Sequence, residues 1–193
     1  MRKGEATRET IVGEALSQAV TLGLEGVSLG PLADSLGLSK SGLYAHFKSK
    51  EALQLAVLDE AVERFARLVI APAMKKPAGL ARLRALFAGH LDWIKGEHAA
   101  GGCPFSTFVQ EFDDRPGRVR TSLAASQKEW RRLLSAATRD AVRGGQLPSD
   151  LDADQVAFEL AGAAMSYQVS NDLLDDRTAR RRAMRAFERI TSA

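Results

Sequence analysis

The sequence has 193 residues, 45% of them hydrophobic and 26% charged, and only six prolines, so it is long enough to bury a core and is not a low-complexity or disordered chain. Its single cysteine, Cys103, excludes an internal disulfide framework and a multi-thiolate metal site. A formal net charge of +3 does not by itself indicate a nucleic-acid partner. No apolar window approaches the roughly 18 residues of a membrane span, and no signal-peptide block is visible. We expect a cytoplasmic protein with no membrane partner, cofactor or metal.

The N-terminal part predicts two helices. Apolar residues recur at helical spacing from Ile11 to Leu22, and Gly23 stands where a helix ends. After a short connection, Ser28 is a plausible N-cap for a brief second helix. Pro31 falls in its first turn, where amides have no intrahelical partner to lose.

A tightly specified turn follows the second helix. Gly37 ends that helix and Ser39 caps the next, while Leu38 and Leu43 occupy the two positions of a hydrophobic staple. The third helix then runs over about two turns to Phe47. Ser49 can cap a long fourth helix that continues towards residue 69.

The rest of the chain predicts longer helices. After a break from Pro72 to Gly79, helical patterns cover residues 80–95, 119–142, 153–174 and 178–190. Loops rich in glycine, proline and aspartate flank an aromatic segment, Phe105 to Phe112, which is also predicted helical. Strand-like alternation is absent. The predicted fold is therefore all-α, with an N-terminal three-helix head and a larger helical body.

Two short helices joined by a glycine turn and braced by a preceding helix are the parts of a helix-turn-helix, whose second short helix enters the major groove of DNA. Leu43 and Phe47 lie four residues apart and are expected to point inward. The outward residues are polar or small, which suits base edges, thymine methyl groups and phosphates. A short surface helix without DNA contact is the alternative. For Tyr44 alone, a half-buried aromatic ring with a solvated hydroxyl is the alternative interpretation. The candidate DNA contacts are Ser28, Ser39, Lys40, Ser41, Gly42, Tyr44, Ala45, His46 and Lys50.

Residues 28–53 resemble the DNA-binding head of the tetracycline-repressor (TetR) family. The resemblance depends on the glycine turn, the capping serine and the strings Leu43-Tyr44, His46-Phe47 and Ser49-Lys50-Glu51. It implies a homodimer that reads a palindromic DNA operator and is a repressor released by a small-molecule effector. It also implies phosphate contacts from Ser28, Tyr44, His46 and Lys50, and base contacts from the face between Lys40 and Ala45.

The resemblance implies two functional domains, residues 1–50 for DNA binding and residues 51–193 for effector binding and dimerisation. The head departs from the common family pattern at Gly30-Pro31 and Ser41-Gly42. The second departure alters the surface that faces the groove, so the operator sequence cannot be transferred from a relative.

The body carries aromatic and apolar residues that can wall a ligand cavity, with a few polar groups to orient the ligand. A filled core without a cavity is the alternative. The candidate ligand residues are Phe87, His90, Ile94, Cys103, Phe105, Phe108, Phe112, Trp130, Tyr167 and Gln168.

A surface of small residues on the helix after Asp152, together with the last helix, is the candidate dimer face. Packing within one chain is the alternative account of the same residues. The basic run Arg180-Arg181-Arg182 is interpreted as a solvated face. The candidate dimer residues are Leu160, Ala161, Ala164, Ala183, Phe187 and Ile190.

Two other function classes have some support in the sequence. Cys103 with His90 or His98 could suggest a thiol hydrolase, but no nucleophile signature surrounds the cysteine, which precedes Pro104 in a glycine loop. An interaction scaffold with a degenerate head is the other class, and DNA binding would separate it from a regulator. We expect no enzymatic activity and no catalytic residues.

Overall fold

The computed structural model describes residues 3–96 and 102–192, and these residues form helices and loops without a strand. The prediction of an all-α fold is confirmed. The helices are α1 (Lys3–Gly26), α2 (Leu29–Ser35), α3 (Lys40–His46), α4 (Lys50–Phe65), α5 (Ala71–Met74), α6 (Leu80–Ile94), α7 (Pro104–Phe112), α8 (Arg118–Arg143), α9 (Ala153–Gln168) and α10 (Ala179–Ile190).

The chain is divided into two compact units. Among the described residues, the first unit comprises 3–64 and 102–125, and the second comprises 65–96 and 126–192. The predicted boundary at residue 50 divides the chain by role, whereas these units follow packing. The difference arises because α7, which is distant in sequence, packs against α1.

The core of the first unit comes from the apolar stripes of its helices. On α1 the stripe is Ile11, Ala15, Leu16 and Ala19, all buried. Apolar residues of α2, α3 and α7 are buried in the same unit, which fixes the short helices on the long one. The buried residues that α2, α3 and α7 contribute are Leu29, Leu32, Ala33, Leu43, Pro104, Phe105, Phe108 and Phe112.

The helix that starts at Lys50 does not stop at Pro72 as the sequence predicted. A π-helical turn at Ala66–Ile70 follows α4, and α5 carries Pro72 in its first turn. Proline has no amide hydrogen, and its ring clashes with the carbonyl four residues earlier in a regular helix. A wider turn just before the proline accommodates that clash, so the helical run continues to Met74 and the break begins at Lys75.

The second unit packs α6, α9 and α10 around one core. The rings of Phe87 on α6 and Phe187 on α10 stack with centroids 5.6 Å apart. The body helices begin and end within a few residues of the predicted bounds, and Asp152 caps α9 as expected through hydrogen bonds from the amides of Asp154 and Gln155.

The predicted dimer face is wrong for most of its members. Leu160, Ala164, Ala183 and Phe187 are buried inside the second unit, so they have no surface to offer to a second chain. Packing within one chain is the correct account of these four residues. Ala161 and Ile190 keep part of their surface. The large apolar side chains that α9 and the following turn expose are Phe158, Met165, Val169, Leu173 and Leu174.

Candidate nucleic-acid interface

The turn between α2 and α3 is closed by backbone hydrogen bonds at the end of α2. Gly37 has φ of 63°, which glycine adopts without the steric cost of a side chain. Its amide donates to the carbonyl of Asp34 at 3.2 Å, and the amide of Leu38 donates to the carbonyl of Ala33 at 2.9 Å. This pair of bonds is a Schellman motif, and it stops α2 at a defined residue.

Ser39 starts α3 at once. Its hydroxyl accepts a hydrogen bond from the amide of Gly42 at 3.0 Å, which satisfies one of the free amides of the first turn. A Cβ at residue 42 would lie 3.1 Å from the Ser39 hydroxyl, so the cap itself favours glycine there. The direction in which α3 leaves the turn is therefore fixed by local bonds.

One side of α3 is anchored in the first unit. Leu43 and Phe47 are buried, as the four-residue spacing predicted. The guanidinium of Arg8 on α1 lies 5.2 Å above the Phe47 ring, a cation–π contact that ties the end of α3 to α1. These contacts hold the opposite side of the helix in one orientation.

The other side of α3 faces solvent. Lys40, Ser41, Tyr44 and Ala45 are exposed, with Tyr44 53% exposed, and His46 is half-buried. The hydroxyl of Ser41 lies 3.2 Å from that of Ser39. The helix thus presents a narrow surface of one amine, hydroxyl groups and small side chains.

Ser28 lies at the N-cap of α2 with extended backbone, as predicted, but its side chain makes no capping hydrogen bond. Its carbonyl instead accepts from the amide of Leu32 at 3.2 Å. The expected role of the Ser28 hydroxyl in capping is therefore wrong.

The ammonium of Lys50 is bound within the protein. Its Nζ donates to the carbonyl oxygen of Glu25 and, at 3.0 Å, to Oε2 of the same residue. Gln54 donates to Oε1 of Glu25 at 2.7 Å. Hydrogen bonds from Gln54 and Lys50 hold the pKa of the Glu25 carboxyl below its ordinary value. Nothing in the sequence pairs Glu25 with a residue twenty-five positions away.

Four of the ten candidate ligand residues are buried in the second unit, namely Phe87, Ile94, Trp130 and Tyr167. The ring of Trp130 meets those of Phe65 and His90 edge to face, with centroids 4.9 and 5.2 Å apart. Burial lowers the pKa of His90 to about 4, so its imidazole is neutral at pH 7. The indole Nε1 of Trp130 is buried without a hydrogen-bond partner. Phe65 completes this aromatic cluster, although the sequence did not single it out.

The ten candidates divide between the two units. Tyr167 is buried in the second unit, where burial raises the pKa of its hydroxyl, and Gln168 is half-buried. The four other candidates belong to the first unit and are buried there, namely Cys103, Phe105, Phe108 and Phe112. His98, considered with Cys103 for a thiol hydrolase, lies outside the described residues.

Among the residues that are described, no helix has the length and apolar character needed to cross a membrane.

Two sequence profiles match the chain. The profile described as "Bacterial regulatory proteins, tetR family" matches residues 11–57, which include α2, α3 and the start of α4. The profile described as "Tetracyclin repressor-like, C-terminal domain" matches residues 79–187, more than half of the chain. The chain belongs to the TetR family. Members of the TetR family are DNA-binding transcriptional regulators and not enzymes, so the predicted resemblance and the absence of a catalytic role are confirmed.

Relatives of this TetR-family regulator agree in sequence and fold. The transcriptional regulator AcuR of Cereibacter sphaeroides is 26% identical over 151 residues, which cover 77% of this chain and 68% of AcuR. A TetR transcriptional regulator from Chloroflexus aurantiacus has a TM-score of 0.87 at 25% identity and covers 99% of this chain and 95% of its own. AibR, solved with isovaleryl coenzyme A and operator DNA, has a TM-score of 0.73 at 22% identity over 93% of this chain and 97% of its own.

Proposed function

We propose that this regulator is a homodimeric repressor that binds a palindromic operator and is released from it by a small molecule. The capped turn from Gly37 to Ser39 is the observation that carries the DNA part of the proposal, because it anchors one side of α3 and leaves a polar side exposed. A helix held in this way is suited to the major groove.

Base reading is assigned to the first turns of α3. The amine of Lys40 and the hydroxyl of Ser41 can reach the acceptors of guanine or adenine, and the Ala45 methyl can contact a thymine methyl. Ser39 and Gly42 place the helix start close to the groove, because the cap leaves no bulky side chain there.

Phosphate contacts are assigned to Tyr44, His46, Ser28 and Lys50. Tyr44 and His46 follow the base-reading residues on α3, where hydroxyl and imidazole N–H donors suit phosphate oxygens. The Ser28 hydroxyl is not used in capping α2. Lys50 stands at the N-terminus of α4, where the helix dipole favours an anion.

The partner for the exposed apolar surface of α9 is a second copy of the chain. Phe158, Met165, Val169 and Leu173 recur at intervals of seven, four and four residues, and each is at least half exposed. Phe158 and Met165 lie on α9, and the other two lie on the π-helical turn that follows it, Val169–Leu173. We call these four residues the α9 row. Such a row on one side of a helix is unusual for a monomer. In a dimer with two-fold symmetry the row would pack against its own copy, and the two heads would face successive half-sites.

The effector is assigned to the body, and the support comes from two sources. AibR, which has the same fold, was solved with isovaleryl coenzyme A and operator DNA. In this chain, the cluster of Phe65, His90 and Trp130 is apolar and uncharged at pH 7, with one unused donor on the indole of Trp130. A largely apolar ligand with a hydrogen-bond acceptor suits that environment.

The proposal of repression and release has two supports. The profile that matches the body is named after the tetracycline repressor, "Tetracyclin repressor-like, C-terminal domain". A bound dimer needs its two α3 helices about 34–36 Å apart, one turn of DNA. A ligand that binds better to a dimer with another spacing would release the operator, in proportion to its preference for that form.

The DNA assignment is tested with substitutions that separate base from phosphate contacts. Lys40→Ala should change which operator bases are preferred, whereas Tyr44→Ala should weaken binding to all DNA sequences about equally. Lys128→Ala, on the exposed surface of α8, is the matched control because it removes the same charge outside the head. Fluorescence anisotropy with the operator and with single-base variants gives both readouts. Equal effects of Lys40→Ala and Lys128→Ala would contradict the assignment.

A further inference from the structure

The end of α1 is broken and then capped from α7. Gly23 has φ of 76° and interrupts the helix before a last turn, Leu24–Gly26. The carboxylate of Glu111 on α7 accepts from the amide of Leu24 at 2.7 Å and from that of Glu25 at 3.4 Å. A Cβ at residue 23 would lie 1.8 Å from Oε1 of Glu111, so glycine makes room for the carboxylate. Glu111 therefore acts as an N-cap supplied by another helix.

The turn that Glu111 caps is hydrogen-bonded to the first residues of α4. Lys50 donates to both the carbonyl and the carboxylate of Glu25, and Gln54 donates to Oε1 of Glu25 at 2.7 Å and to the carbonyl of Leu24 at 3.3 Å. Gln54 is buried, which makes these bonds costly to leave unmade. A continuous set of hydrogen bonds thus joins Glu111, the turn Leu24–Gly26 and the first turns of α4, all inside the first unit.

The carboxylate of Glu25 affects the proposed contact between Lys50 and a DNA phosphate. The Lys50 ammonium that would meet a phosphate is neutralised by a carboxylate at 3.0 Å. Both side chains keep about 40% of their surface, and ion pairs this exposed are weak and readily exchanged. A phosphate can therefore compete with Glu25 for Lys50, and the outcome depends on how firmly the turn holds Glu25 in place.

We propose that Glu25 withholds the ammonium of Lys50 from DNA and that Glu111 is the positioning residue that keeps Glu25 there. Movement of α7 that withdraws Glu111 from the turn would loosen Glu25 and free Lys50. The position of Glu111 on α7 thus controls how strongly Lys50 can contact a phosphate. The inference depends on the Lys50–phosphate contact proposed above.

We call the proposed coupling from Glu111 through Glu25 to Lys50 the relay, and three substitutions test it. Glu25→Gln keeps the size of the side chain but removes the competing charge, Glu111→Ala removes the cap, and Glu111→Gln restores an acceptor oxygen at the same place. Glu63→Gln, on the exposed surface of α4, is the matched control for loss of one negative charge. The dissociation constant for a selected operator fragment is measured between 50 and 200 mM salt.

We expect Glu25→Gln to bind the operator about fivefold more tightly than Glu63→Gln, with a salt slope steeper by about one, because one more phosphate contact is made. Glu111→Ala should shift affinity and slope in the same direction by a smaller amount, and Glu111→Gln should return both towards wild type. The shifts of Glu25→Gln and Glu111→Ala should not add in the double variant, since they act on the same ammonium.

Lys50→Met separates failure of the relay from failure of the phosphate contact. If Lys50→Met weakens binding while Glu25→Gln and Glu111→Ala match their controls, Lys50 contacts DNA and the relay is wrong. If Lys50→Met has no effect in the Glu25→Gln background, where the ammonium is no longer withheld, the proposed phosphate contact itself is wrong. Weaker binding by Glu25→Gln would also overturn the relay, because Glu25 would then orient Lys50 towards DNA.

A second readout needs no DNA. The pKa of Glu25, followed by the carbon-13 shift of its carboxyl group, is expected to rise towards its ordinary value in Glu111→Ala and to stay low in Glu111→Gln. An unchanged Glu25 pKa in a folded Glu111→Ala protein would overturn the positioning role. Should Glu111→Ala fail to fold, Glu111→Asp shortens the side chain by one methylene and is measured in its place, with the same expected direction.

Discussion

Replacing Leu173 by alanine should weaken the homodimer strongly. Leu173 is 74% exposed in the single chain, and the change removes three carbon atoms. At about 0.8 kcal/mol per buried methylene, burying the exposed part of the side chain contributes about 1.8 kcal/mol in each copy. A two-fold interface counts the change twice, so the loss is about 3.5 kcal/mol. The dimer dissociation constant should therefore rise by a few hundredfold.

Sedimentation equilibrium across nanomolar to micromolar protein measures this constant. Leu22→Ala is the matched control, because Leu22 is 57% exposed on α1 and is not part of the α9 row. The control should dimerise like wild type. A Leu173→Ala protein with the same dissociation constant as Leu22→Ala would refute the assignment of the α9 row. A wild-type protein that stays monomeric at tens of micromolar would refute the dimer itself.

Three further predictions concern the Ser39 cap, Tyr44 and His90. Ser39→Ala should lower the free energy of unfolding by about 1 kcal/mol in urea denaturation and weaken operator binding, since the first turn of α3 loses its cap; unchanged stability would contradict the cap's role. Tyr44→Phe should weaken operator binding less than Tyr44→Ala in anisotropy titrations, because the exposed ring is expected to pack against DNA in addition to the hydroxyl's hydrogen bond. Equal losses would assign the whole effect to the hydroxyl. Burial lowers the pKa of His90 from 6.5 to about 4, so the unfolded chain takes up the proton first as pH falls. The stability that His90 contributes is therefore present above pH 6.5. It is lost towards pH 4, where the free energy of unfolding should be lower by roughly 3 kcal/mol. Urea titrations should show this loss in wild type and a smaller one in His90→Phe, and parallel pH profiles would contradict it.

The head could be predicted because its signals are local. Gly37, Ser39 and the amides that they satisfy lie within a few residues of one another, so the turn can be recognised from the sequence alone. The inward position of Leu43 and Phe47 follows from helical spacing for the same reason. Short-range chemistry thus determined the shape of the candidate interface.

The bonds that position Lys50 could not be predicted, because their partners are distant in sequence. Glu25 and Lys50 are 25 residues apart, and Glu111 and Leu24 are 87 residues apart. No spacing rule connects them. Their contact depends on how α7 packs against α1, which hydrophobic periodicity does not specify.

The dimer face was misassigned because α9 is apolar on more than one side. Leu160 and Ala164 pack in the unit's own core, while Phe158 and Met165 remain exposed. Periodicity marks both sides of such a helix as candidates for burial, and only the packed unit distinguishes them. The sequence predicts a helix end at Pro72, and the prediction fails because the π-helical turn before this proline has no simple sequence signal.

Selection of bound fragments from a random double-stranded DNA library by the purified protein tests the central claim most directly. The proposed function predicts enrichment of one inverted repeat whose half-site centres are about 10 base pairs, or a multiple of one helical turn, apart. It also predicts that Lys40→Ala enriches a different half-site. Recovery of fragments without a shared sequence, at physiological salt, would contradict the claim that this chain reads an operator.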